Sequence, residues 1–360
     1  MGKLNLYTGE QFQALRQKGD PLADRVIADL IENPGLTTQI NSWSEIPLEL
    51  PESFPDSLVQ FFSFFHQRPS FINNKRVKIS QDYFEKEGNL YMAMLGFYSL
   101  PYSYAFADGA QVLVRSKRIT EEAGKRLSET ALFLLDTYRP GTFLTDDRAL
   151  LSIAKVRLIH AFSRFFVRKY AKDWNDDWGI PVNQEDLIGT NLAFSLMVMR
   201  GMEKMNQFPG KEIHESVLHY WKIVGHYLGI EADVLPDTSK EAFELEKLIR
   251  KRHARSSEAG RILIQSLLNY YISVIPDPSM SKLTETLVAF FVGKEIAVVL
   301  GIKETVALPD NAVGLILKLN FLKQNGINSS YAKIRQIFLE QNKVQFGSPV
   351  ALNIPAIKRP

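Results

Sequence analysis

Between Leu151 and Val167 a mostly apolar run carries Arg157, His160 and Arg164 at offsets of three and seven. At about 100° per residue those offsets gather the three side chains onto one side of a helix. A buried cation costs several kcal/mol unless it is paired. Any fold this chain adopts must therefore bring anionic groups against the stripe. An imidazole shielded from water between two guanidinium groups is held neutral. Two kinds of partner answer the constraint. Asp or Glu side chains from a neighbouring helix would pair with the arginines and leave His160 as a hydrogen-bonded core residue. A haem would instead take His160 as its iron ligand and set its propionates against Arg157 and Arg164.

Composition narrows the field. The chain has 360 residues, 45% hydrophobic and 23% charged, enough to bury a large core in one domain. A formal charge of +3, with no basic tract interleaved with aromatics, speaks against nucleic acid as a partner. Without cysteine there are no disulfides, zinc–thiolate sites, iron–sulfur clusters, covalently attached haem or thiol nucleophiles, so any metal falls to His and carboxylates. The opening Met1-Gly-Lys-Leu-Asn5 lacks the apolar stretch of an export signal, and the expected location is cytoplasmic. Lys294 and Glu295 interrupt the apolar stretch at 287–300, and no transmembrane segment is expected.

Apolar residues recur at helical spacing almost throughout, so the expected fold is all-α. The pattern predicts a helix near 9–33 interrupted at Asp20-Pro21, a proline-rich connector through Pro47, Pro51 and Pro55, an extended segment at 71–79, and a helix over 80–98 stopped by Leu100-Pro101. Thr120 is the expected cap of a helix reaching Tyr138. The stripe lies in the next helix, 145–172. A loop from Trp174 to Pro181 follows, then a helix capped by Asn183, and further helices at 211–228, 238–254, 258–274, 281–300, 309–325 and 328–341. The expected organisation is an N-terminal helical extension and connector at 1–75, a helical domain at 76–345, and a C-terminal coil at 346–360.

The helix before the stripe aligns Arg126, Glu129 and Thr130 on one face, continued by Phe133, which reads either as a solvated Arg–Glu pair or as a covered polar face. Among the six histidines, His214, His219 and His226 do not match a zinc pattern and read as structural. No serine-hydrolase elbow, Walker loop or dinucleotide fingerprint occurs.

The string Val156-Arg-Leu-Ile-His160-Ala-Phe-Ser-Arg164, followed by Trp178-Gly-Ile-Pro181-Val-Asn-Gln-Glu-Asp186-Leu-Ile-Gly-Thr190, resembles the latex-clearing protein (rubber oxygenase) and MpaB-like oxygenase family. Gly19-Asp-Pro-Leu-Ala-Asp24 and Trp221-Lys-Ile-Val-Gly225 support the likeness, which spans roughly 90–300. The resemblance implies a globin-like helical core holding one non-covalent haem b, with molecular oxygen and a hydrophobic alkene, isoprenoid or lipid-like molecule as co-substrates. It places the proximal iron ligand at His160, ring-orienting arginines at Arg157 and Arg164, and the opposite wall at Arg126, Glu129 and Thr130. The family's pattern has lysine where this chain has Glu129, a carboxylate suited to weak iron ligation, to pairing with Arg126, or to base chemistry at an allylic position. Asp108 in Phe106-Ala-Asp-Gly109 reads as a second pocket acid or a turn residue. A non-catalytic carrier or sensor of haem or an apolar ligand is the alternative on this scaffold. A haem-free interaction protein whose arginines form only salt bridges is the third reading.

Overall fold

The computed structural model describes residues 2–116, 122–274, 278–303 and 330–355. Its regular elements are all helical, as the periodicity predicts, with two isolated bridges, Phe106 to Ala254 and Thr142 to Asp146, as the extended pairings among the described residues. Among these residues no helix is long and apolar enough to cross a membrane.

The N-terminal layer is α1 (Gly9–Arg16), α2 (Pro21–Glu32), α3 (Pro34–Ser42) and α4 (Asp56–Phe65). Asp20-Pro21 is a restart: the Asp20 side chain accepts from the Ala23 amide, and Pro21 occupies a first-turn position where its missing N–H goes unneeded. Asn33 and Pro34 repeat the device one helix later.

Helix α5 (Asn74–Met94) corrects the expectation of an extended segment at 71–79. The Asn73 side chain caps the Arg76 amide at 3.1 Å, and Val77, Ser80 and Phe84 then bury at helical spacing. Pro101 does not stop the chain either. A π-helical turn, Leu95–Ser99, shifts the register into α6 (Leu100–Tyr104), where the proline again sits in a first turn.

The chain continues through α7 (Ala107–Arg115), α8 (Ala123–Thr137), α9 (Arg148–Tyr170) and α10 (Gln184–Leu192). A second π turn, Ala193–Met197, leads into α11 (Val198–Lys204). Then come α12 (Lys211–Tyr227), α13 (Ser239–His253), α14 (Glu258–Val274), α15 (Pro278–Val292), α16 (Lys294–Leu300) and α17 (Tyr331–Phe346). Gly293, at φ +82°, divides the single helix expected at 281–300. The expected Thr120 cap and the 309–325 helix lie outside the described residues.

The stripe helix α9 packs against α2 on one side and α8 on another. Arg157 donates from Nε to Asp20 Oδ2 at 2.6 Å and from Nη2 to Asp20 Oδ1 at 2.9 Å, with its guanidinium over the Phe64 ring at 4.7 Å. Arg164 donates from Nε to Asp24 Oδ1 at 2.7 Å and from Nη1 to the Val182 carbonyl at 3.1 Å. The anions that the stripe demands are thus side chains of α2 and its cap.

Removing one partner of such a pair leaves a buried charge uncompensated. Asp20→Asn retains a capping side chain but not the charge, and is expected to lower unfolding stability in urea by about 3 kcal/mol, with Asp20→Asn/Arg157→Met recovering at least half of the loss. A double variant no more stable than the single one would show that the pair is not the source.

Candidate functional site

Helices α8 and α9 run side by side, and between them lies a cavity of about 270 Å³ with mainly apolar walls. From α8 it is lined by Arg126, Glu129, Thr130 and Phe133, and from α9 by Val156, Ile159, His160 and Ser163. Phe194 of the second π turn and Trp221 of α12 stack at 4.7 Å between ring centres on a further part of the wall.

On a helical wheel Val156, Ile159 and Ser163 centre roughly 130° from Arg157, whereas Arg164 lies only about 20° from it. His160, about 60° round, stands at the border between the arginine face and the cavity face. This small angle decides the site. Arg157 and Arg164 face α2 and are not among the cavity-lining residues: Asp20 takes the Arg157 Nε and Nη2 donors, and Asp24 takes the Arg164 Nε.

The His160 ring lines the cavity, and its Nδ1 is buried with no hydrogen-bond partner. Burial, then Arg164, then Arg126 push its pKa down to about 3, against a weaker opposing pull from Asp20. The ring is therefore neutral at physiological pH, with a lone pair available. Leaving a buried polar atom unmatched costs about 1–3 kcal/mol.

Across the cavity, Arg126 Nη1 stands 3.5 Å from Glu129 Oε2 within α8, and the Thr130 hydroxyl donates to the Arg126 carbonyl at 3.0 Å. Glu129 is buried, so this polar face is covered by protein rather than solvated. Phe133, which continues the face, is buried on the same wall.

Asp108 is not among the cavity-lining residues, but it belongs to a polar group whose wall members, Glu185, Asp186 and His253, the sequence did not single out. Asp108 is a first-turn residue of α7 rather than a turn residue, and it pairs with Arg255 and with Arg16. His253 lies between two carboxylates, with Nδ1 3.2 Å from Asp108 Oδ2 and Nε2 2.8 Å from Glu185 Oε1. Glu185 also receives Arg252 Nε at 2.7 Å and Arg16 Nη1 at 3.2 Å, and Asp186 receives Arg16 Nη1 at 3.1 Å. Burial opposes every charge here. At Asp108 and Glu185 the hydrogen bond with His253 and the neighbouring arginines together outweigh it, so both sit below the usual carboxylate range; the two carboxylates hold His253 above the usual imidazole value, while at Asp186 burial prevails and raises the pKa. Glu185, Asp186 and His253 all border the cavity. In the sequence the two acids read only as favourable first-turn residues of α10; nothing local reveals that Arg16, about 170 residues upstream, meets them.

The other histidines make ordinary structural contacts. The His219 Nε2 accepts from the Asn73 amide at 2.9 Å, and His226 packs on Phe64. Among the described residues no three His, Asp or Glu side chains stand together as metal ligands.

The profile of the family described as ER-bound oxygenase mpaB/B'/Rubber oxygenase, catalytic domain, matches residues 90–311. The chain belongs to this family. A rubber oxygenase from Streptomyces sp. (strain K30) is 23% identical over 255 residues, which are 69% of this chain and 62% of that protein. The chain thus aligns with somewhat less than two thirds of that relative's length. The structure titled latex clearing protein LCP in the closed state superposes with a TM-score of 0.71 at 20% identity, covering 95% of both chains, and so has the same fold. The family span contains both α8 and α9. The α2 acids that anchor α9 lie before it, within the wider structural likeness.

The depressed His160 pKa has a consequence for stability. Between pH 6.5, the ordinary value, and about 3 the unfolded chain binds a proton at this residue that the folded chain refuses. Its contribution to stability therefore falls as pH is lowered through that window, by up to about 1.4 kcal/mol per pH unit. Urea melts of ligand-free protein across the range should show His160→Phe with a shallower loss than wild type. Parallel curves would contradict a neutral, buried ring.

Proposed function

We propose that this protein is an oxygenase that binds one haem b between α8 and α9 and uses molecular oxygen on a hydrophobic alkene, isoprenoid or lipid-like substrate. The observation that carries the reading is His160: a neutral imidazole with an unmatched buried nitrogen, on the wall of an apolar cavity. Among the described residues no group of three or more His, Asp or Glu side chains forms a metal site, and a metal at this ring would draw ligands from a macrocycle. Family membership supports the same chemistry.

In this reading His160 holds the iron. The haem, when bound, supplies the activation of oxygen toward a carbon–carbon double bond. The protein does the rest. Arg157 and Arg164 act at one remove, fixing α9 against α2 so that His160 keeps its orientation. Phe133, Phe194 and Trp221 exclude water and present an apolar aromatic surface to an alkene. Glu129, steadied by Arg126, is the carboxylate placed to take an allylic proton, and the Thr130 hydroxyl flanks it.

One observation favours a second reading. Glu129 replaces the lysine of the family pattern and spends its charge on Arg126, which suits a carrier or sensor that retains haem without turnover. Visible absorption after haem supplementation tests the first step: wild type is expected to take up one equivalent, and His160→Ala to bind at least tenfold more weakly. Unchanged uptake and spectrum in His160→Ala would overturn the assignment. Oxygen consumption with squalene then separates enzyme from carrier. If the enzyme reading holds, Glu129→Gln should lower the rate by about a hundredfold while changing haem affinity less than twofold.

A further inference from the structure

Beyond α17 the chain runs extended, and its side chains alternate: Val350, Leu352 and Ile354 are buried, whereas Ala351 and Asn353 are exposed. This is the period of a strand, yet the segment lies on helices. Both ends are fastened. The Asn41 side chain grips the Ile354 backbone twice, Nδ2 to its carbonyl at 3.0 Å and Oδ1 from its amide at 2.9 Å. The Asn41 carbonyl in turn accepts from Lys155 Nζ of α9 at 3.2 Å. At the other end Gln345 donates to the Tyr270 hydroxyl at 3.2 Å, and the Tyr270 ring covers Gly124 in the first turn of α8 so closely that a Cβ there would lie 2.4 Å from it.

The strap therefore crosses from the start of α8 to the N-terminal half of α9, over the seam between the two helices that carry His160 and Glu129. Val350 and Ile354 anchor it in the core, and Leu352, between them, borders the cavity. Residues 349–355 lie beyond the 90–311 span that matches the family.

The geometry points to Leu352 as a specificity-determining residue: the C-terminal strap forms the cavity wall at the α8/α9 seam, and the size of this side chain sets how long an apolar chain the site accepts. The inference rests on the proposed reading of the cavity as the site of a hydrophobic substrate. Leu352 belongs to the same buried core as its neighbours, and unlike Val350 and Ile354 it also borders the cavity, held there by those neighbours on either side. Each carbon admitted or refused changes apolar binding by about fourfold.

The test is calorimetric titration of haem-supplemented protein with isopentenol, geraniol, farnesol and geranylgeraniol, comparing wild type with Leu352→Ala and Leu352→Trp. Folding is checked by circular dichroism, and one folded variant suffices. Leu352→Ala is expected to move the optimum to a longer alcohol, with about a tenfold gain for the one just beyond the wild-type optimum. Leu352→Trp is expected to move it to a shorter one, with a comparable loss at the wild-type optimum. If wild type binds the series and a folded variant leaves the order of affinities unchanged, the strap does not measure chain length and this inference falls while the proposed function stands. If no member of the series binds wild type, the hydrophobic-substrate reading falls and takes the inference with it.

Discussion

Two guanidinium–carboxylate pairs, Arg157 with the buried Asp20 and Arg164 with Asp24 at the surface, govern where everything else in the site can be. They are seven residues apart on α9 and four apart on α2 and its cap, so they join the helices at two points and remove freedom of both rotation and sliding. Buried ion pairs add little net stability because the desolvation cost offsets the attraction. What they supply here is orientation. With the arginine face committed to α2, the neighbouring face of α9 turns toward α8, and His160 arrives at the edge of the cavity. A rotation of α9 by one residue position, about 100°, would carry the ring away from that wall.

The same pairs set the chemistry of the ring. Each guanidinium is matched by a carboxylate, so the stripe has little net charge, yet Arg164 still weighs against protonation of His160 more than Asp20 favours it. Burial does most of the work. The outcome is a neutral nitrogen base on a helix held in place by its neighbours, which is the state a metal ligand needs.

This explains how far the residues alone could be read. The need for paired anions was legible from two arginines in an apolar helix, and the Gly19-Asp-Pro-Leu-Ala-Asp24 segment that answers it stood in the sequence. Sharing a face was too coarse a criterion to separate His160 from Arg157 when about 60° decides which residue meets a cavity and which meets a neighbouring helix. The helix at Asn74 was hidden because its start depends on a single cap, Asn73, whose amide is in turn bound by His219 from α12. Pro101 misled because a π turn, which leaves no mark in hydrophobic periodicity, resets the register just before it. The Arg16, Glu185 and His253 cluster joins three distant segments, and its members are individually unremarkable.

Saturation distinguishes His160 from the charged side chains on the cavity wall. Arg126 and Glu129 face one another, and Glu185, Asp186 and His253 are each engaged by Arg16, Arg252 or Asp108. Charges matched in this way offer little to an incoming apolar molecule and attract little water, so much of the wall that looks polar by residue type behaves as a closed surface. The His160 Nδ1 has no such match. A cavity whose charged side chains are occupied with one another, and whose histidine is not, selects a ligand that is apolar over most of its surface and electrophilic at one point. On the proposed reading that ligand is a metalloporphyrin, and the substrate beside it needs no charge to be held.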